Sequence, residues 1–151
     1  MSFTTEEIFQ IVNPEKNSSI HFENFPKIPT NWENKKLYEK WEKLKIIRSV
    51  VNAGIEAKRS SKDIGSSLEA DIEIYLGKEY LELVEDINLS EYFITSKASI
   101  KNMINNDDKI FKLNDISNVG VIVQKAKGEK CSRCWKILGN PCDRCKGVLK
   151  N

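Results

Sequence analysis

All four cysteines of the chain fall near its C-terminal end as two Cys-x-x-Cys pairs, Cys131/Cys134 and Cys142/Cys145, with seven residues between them. A Cys-x-x-Cys turn presents two thiolates from one knuckle. Two such turns complete a tetrahedron around Zn²⁺ at roughly 2.3 Å per Zn–S contact. Four thiolates close the coordination shell and leave no position for water, so a zinc held this way is structural rather than hydrolytic. Disulfides and a dithiol redox motif compete for the same residues. Met1-Ser2-Phe3-Thr4-Thr5-Glu6-Glu7 has neither a basic n-region nor a long apolar h-region. The expected compartment is therefore the cytoplasm, where disulfides are disfavoured. A redox protein needs one Cys-x-x-Cys rather than two. Iron in a rubredoxin-like site remains a competitor, because tetrahedral S₄ geometry suits both metals.

The knuckles sit in a basic stretch. From Lys125 to Asn151, eight Lys and Arg stand against Glu129 and Asp143, a balance of +6 where the whole chain carries +2. Lys130, Arg133, Trp135, Lys136 and Arg144 surround the cysteines. Arg and Lys meet phosphates and Trp offers a stacking face, so a rigid cationic knuckle of this kind suits unpaired RNA bases. In the plainer reading, Trp135 covers the metal site and the lysines keep it soluble.

The chain of 151 residues could form one domain or two small ones, and its 40% hydrophobic content is enough for a core. No apolar run approaches the ~20 residues of a membrane span, so no membrane partner is expected. The expected class is α+β: a helical N-terminal part (1–69), a small mixed α/β unit (70–125) and a C-terminal zinc knuckle (126–151). In the first part, Thr4–Val12 reads as a short helix with Thr4 and Glu7 as a capping box and Pro14 ending it. Residues 17–31 read as extended around Pro26 and Pro29. A long helix from Glu33 to Ser60 follows, with Asn31 as its cap. Its stripe of Leu37, Trp41, Leu44, Ile47 or Arg48, Val51 and Ile55 points Trp41 into the core. Gly54 inside that helix marks close packing. The polar break Lys58–Ser67 lacks the Gly-rich cradle of a P-loop. From Ala70 the period falls to two, so Asp71–Leu76 reads as a strand, Lys78–Ile87 as a helix, and Tyr92–Thr95 and Val119–Val123 as strands. Ser99–Ile104 is either a strand or a helical turn. Between Asp71 and Gln124, ten acidic residues face five basic ones, so a phosphate backbone is not expected there.

Several motifs, in this order, resemble the C-terminal end of bacterial isoleucyl-tRNA synthetase. Phe3-Thr4-Thr5-Glu6-Glu7-Ile8-Phe9-Gln10 resembles its last bundle helix, and Ser19-Ile20-His21-Phe22 through Phe25-Pro26 resembles its connector. Ile47-Arg48-Ser49-Val50-Val51-Asn52, Ile55-Glu56-Ala57-Lys58-Arg59 and Lys62-Asp63-Ile64-Gly65-Ser66-Ser67-Leu68-Glu69-Ala70 are similar to the next helix and turn. Gly128-Glu129-Lys130-Cys131-Ser132-Arg133-Cys134-Trp135 is similar to its zinc knuckle. The resemblance covers nearly the whole chain. It implies a noncatalytic fragment that grips the anticodon end of isoleucine tRNA with a structural zinc, alongside the remainder of the synthetase polypeptide. Arg133 and Trp135 take the base-contacting places. The ATP-using signatures His-Ile-Gly-His and Lys-Met-Ser-Lys-Ser do not occur here, so neither amino-acid activation nor editing is expected of this stretch. The loop between the two cysteine pairs is shorter than is common in the family. Three other readings compete: a zinc staple without RNA contact, a DNA-binding knuckle of the glycosylase type, and an electron-transfer iron protein.

Overall fold

A computed structural model describes residues 1–102, 108–139 and 141–149. The chain forms two compact units, Met1–Asn34 and Lys35–Asn151.

In the first unit, helix α1 spans Ser2–Val12 and ends at Asn13, ahead of Pro14. It starts two residues before Thr4, so the expected capping box does not form. The Thr5 hydroxyl instead donates to the carbonyls of Met1 and Ser2. Phe9 is buried, whereas Ile8 and Ile11 are exposed. Residues 17–31 are not uniformly extended. Ser19 accepts the His21 N–H and starts a 3₁₀ turn over Ile20–Phe22, and a second turn covers Thr30–Trp32 after Pro29. Glu6 ties the helix to the first turn. Its carboxylate accepts from Gln10 Nε2 (2.8 Å), Ser19 Oγ (2.7 Å) and the Ile20 N–H (3.0 Å).

The Gln10 amide first, then Ser19 and Ile20, hold Glu6 below its ordinary pKa of 4.5. A depressed carboxylate contributes stability above its unfolded pKa and loses it as pH falls through the lowered value. Acidification below the usual carboxylate range is therefore expected to free the Ile20 turn. The Ile20 amide resonance should titrate there in the wild type and stay pH-independent in Glu6→Gln. A flat wild-type titration would refute the tie.

In the second unit, α2 (Lys35–Ser60) lies on a four-stranded mixed sheet. The strands are β1 (Ala70–Leu76), β2 (Lys97–Asn102), β3 (Phe111–Leu113) and β4 (Ile116–Lys125), in the order β2-β1-β4-β3. This confirms the α+β class. Period-two alternation sets one face: Ile72, Ile74 and Leu76 of β1 stand opposite Val123, Val121 and Val119 of antiparallel β4. All six are buried. At Gly54 the helix backbone approaches that face so closely that a Cβ would lie 2.6 Å from Val121 Cγ1.

Strand β2 runs parallel to β1, with Asp71 opposite Lys97. A parallel pair needs a long crossover. Here it holds α3 (Lys78–Val84) and α4 (Leu89–Tyr92), so the expected helix to Ile87 stops early. The expected strand over Tyr92–Thr95 is likewise absent. Asn88 caps α4 by accepting the Glu91 N–H, and Ile94 takes a left-handed φ of 56°, so this stretch turns the chain into β2. Its aromatic content serves packing instead: Tyr92 lies 4.9 Å from Phe93 and 5.7 Å from Trp41, ring centre to ring centre. Ser99 and its neighbours are strand, while Ile104 lies outside the described residues.

The long helix also departs from expectation. It begins at Lys35, and Asn31 sits in the preceding 3₁₀ turn rather than capping it. Its buried stripe starts only at Leu44; Leu37 is 49% and Trp41 43% exposed. The sheet meets the later turns, and the first turns rest on the crossover, with Lys40 bonded to Asp86 at 2.7 Å. Among the described residues, no helix is long and apolar enough to cross a membrane.

Candidate metal centre

Strand β4 delivers the chain to the first knuckle. The Ala126 N–H donates to Glu69 C=O, and a tight antiparallel turn then pairs Lys130 with Ile137. Within it, the Cys131 N–H donates to Lys136 C=O and the Trp135 N–H to Cys131 C=O, both at 2.9 Å. Closing so short a turn puts Trp135 at φ 66°, a region that a bulky side chain rarely adopts. The second knuckle runs into α5 (Asp143–Leu149), whose first turn carries Cys145.

All four Sγ atoms lie within 4.8 Å of one another, and all four cysteines are free of disulfides. Cys134 Sγ and Cys142 Sγ are 3.5 Å apart. A tetrahedron with ~2.3 Å Zn–S bonds has edges of about 3.8 Å, so the donor set fits a four-coordinate metal. The cluster could hold a metal ion. The thiols are also differentiated. The backbone N–H groups of Cys134 and Cys142 pull Cys131 down to about 6. At Cys134 the Lys136 N–H acts in the same direction, but burial and the three neighbouring thiols outweigh it and push this group up to about 11. A metal ligand must be a thiolate, so loading expels the Cys134 proton and affinity rises with pH.

All five basic or aromatic candidates have defined contacts. Arg133 Nη1 donates to Cys145 Sγ at 3.7 Å. Lys136 Nζ reaches the Ser90 carbonyl and hydroxyl at 3.3 Å, and Arg144 pairs with Glu91 at 3.2 Å. Lys130 Nζ stands 6.0 Å over the Trp135 ring, which is 61% exposed. The docking partners were invisible to sequence reasoning. The most buried is Ser96, 3% exposed, whose hydroxyl donates to Leu68 C=O and accepts the Ile137 N–H at 2.6 Å. A serine gives no spacing signal; only the fold shows that it joins the Ser67–Glu69 turn, β2 and the knuckle.

The sequence that builds this arrangement has counterparts among known proteins. Residues 1–74 match the family described as the anticodon-binding domain of tRNA ligase. Along 95% of the chain, 44% of residues are identical to a segment of the isoleucine-tRNA ligase of Pelagibacter ubique (strain HTCC1062), which makes up 15% of that protein. The isoleucine-tRNA ligase of Rhodopseudomonas palustris is 35% identical over 93% of the chain, covering 14% of that protein. That of Bartonella henselae is 38% identical over 90% of the chain, again covering 14% of the relative. Along nearly its whole length, then, the chain is similar to a segment of bacterial isoleucine-tRNA ligases. It spans about 15% of the length of the curated relatives it matches.

Proposed function

We propose that this chain is the noncatalytic part of an isoleucine-tRNA ligase that grips the anticodon end of the tRNA, with one structural zinc in the knuckle. The observation that carries the reading is the placement of Trp135. Its ring is 61% exposed on a turn anchored between two metal-site cysteines, with Lys130 beside it. An exposed indole held on a rigid turn stacks an unpaired base at little entropic cost, and the neighbouring cation meets the phosphate. Lys136 and Arg144 hold the knuckle against α4, so Lys130, Arg133 and Trp135 form the free-facing set. Zinc supplies only rigidity, since Cys131, Cys134, Cys142 and Cys145 fill its coordination shell.

A titration of the chain with an isoleucine tRNA transcript and a non-cognate one, each at two salt concentrations, tests this. Cognate preference is expected, and Trp135→Ala should weaken binding by ~10-fold, in line with ~1–3 kcal/mol per stacked base. Equal and steeply salt-dependent binding to both transcripts would reduce the knuckle to an electrostatic grip. Unchanged cognate affinity in Trp135→Ala would favour a zinc staple that touches no RNA.

A further inference from the structure

Beside the knuckle, α2 and the turn ahead of β1 frame an open cleft of about 520 Å³. That is within the size range of small-ligand sites, ~300–1,000 Å³. Its apolar lining is Ile55, Phe93 and Ile94, of which Ile94 alone is exposed while Ile55 and Phe93 are buried, and its rim carries Arg48, Asn52 and Ser66. Ile94 is the unusual member. A β-branched residue at φ 56° is a backbone outlier, and its side chain is 51% exposed. Such strain persists where the surroundings over-determine it, and it clusters at ligand sites.

The charged groups of the rim favour an anion. Of the charged residues that line the cleft, Arg59 Nη1 and Glu56 Oε1 pair at 2.6 Å, which leaves the charge of Arg48 uncompensated within the lining. Arg48 makes no ion pair among the described residues. Its guanidinium lies 5.2 Å over the Tyr92 ring, held at the rim by the Trp41–Tyr92–Phe93 stack. Asn52, one turn further along α2, is exposed and contributes an amide that reads hydrogen-bonding edges.

The cleft also adjoins the knuckle through one short stretch of chain. In residues 89–96, Phe93 and Ile94 face the cleft, while Ser90, Glu91 and Ser96 hold Lys136, Arg144 and Ile137. One stretch of chain therefore contributes both to the cleft and to the seat of the knuckle. An acidic peptide would match the charge of Arg48, whereas an unpaired nucleotide presents both a phosphate for Arg48 and a base face for the exposed Ile94 beside it.

We propose that the cleft is a second RNA contact that takes one unpaired nucleotide, its base against the exposed Ile94 side chain and its phosphate at Arg48. The proposal rests on the tRNA reading above, and the two fail separately in one experiment. An anticodon stem-loop RNA of isoleucine tRNA is titrated into the zinc-loaded chain, with NMR following the Ile94 methyl, the Asn52 amide and the Trp135 indole N–H. All three signals should shift together. Arg48→Gln keeps the aliphatic stem over Tyr92. It should weaken binding by ~10-fold, lower the salt slope by about one and silence the Ile94 shift while the Trp135 shift persists. Asn52→Ala, at an exposed position, should weaken binding without any effect on folding. Lys101→Gln on β2 serves as the charge control.

A Trp135 shift without Ile94 and Asn52 shifts overturns the cleft proposal and leaves the knuckle reading intact. An equal loss in Lys101→Gln and Arg48→Gln overturns it too, since the effect would then be diffuse charge. No shift at any of the three overturns both.

Discussion

Stripping the metal with a chelator, or replacing Cys142 with serine, is expected to unfold the knuckle while the sheet stays folded. The two parts have separate interiors. The core around α2, β1 and β4 includes Leu44, Ile47, Val50, Ile72, Ile74 and Val121, whereas the buried cluster of the knuckle is Cys131, Cys142 and Cys145, with Cys134 packed against it. Without a cation, the knuckle keeps its few internal backbone hydrogen bonds and is tied to the rest, among the described residues, by contacts such as the Ser96–Ile137 hydrogen bond, the Lys136–Ser90 contacts and the exposed Arg144–Glu91 pair. Each is worth about 1 kcal/mol or less. Metal binding in small structural zinc sites supplies ~10–16 kcal/mol, so its loss cannot be made good by those contacts. Amide exchange should accelerate across residues 130–149 and the Trp135 fluorescence should change, with β1 and β4 still protected. Protection retained in the knuckle after complete metal removal would show that the cysteines hold by packing alone. Chelation should also become easier as pH falls, because a proton competes with metal at Cys134, whose thiol lies near 11.

The knuckle was legible in the sequence because metal ligation imposes residue type and spacing together. The fold brings Cys131, Cys134, Cys142 and Cys145 into one cluster that could hold a metal ion. Strand β1 was legible for a similar reason: a half-buried strand must alternate, and Ala70–Leu76 does. The crossover was not. Tyr92, Phe93 and Ile94 carry strand-like side chains, and only the parallel register of β1 with β2, fixed by residues far apart in sequence, forces them into a turn. Trp41 failed in a related way. Its position on the helix stripe was correct, but periodicity does not say where along a helix the sheet begins. Strand β3 has three residues and too little pattern to detect. The role of Glu6 was not legible either, because its pull on Ser19 and Ile20 depends on a chain reversal that no local rule encodes.

Gly54→Leu is expected to destabilise the second unit by about 3 kcal/mol, the upper part of the range for overpacked cores. A Cβ there would stand 2.6 Å from Val121 Cγ1, 3.4 Å from Phe111 Cδ1 and 3.5 Å from Val123 Cγ2. None of these can swing away easily: Val121 is fully buried, and its strand is held between β1 and β3. Helix propensity pulls in the opposite direction, since Gly within a helix costs ~1 kcal/mol relative to Ala. The sign of Gly54→Ala is thus set by whether Val121 keeps its methyl. In the wild-type background the clash should win, and the urea midpoint should fall with an unchanged m-value. Val121→Ala alone leaves a cavity and is also destabilising. In the double variant the new Cβ occupies the space vacated by Cγ1, so the two losses should not add. The coupling should lie within the ~0.5–3 kcal/mol seen for residues in contact. Strict additivity, or a Gly54→Ala variant more stable than wild type in the Val121 background, would mean that α2 stands further from the sheet than the Gly54–Val121 approach requires.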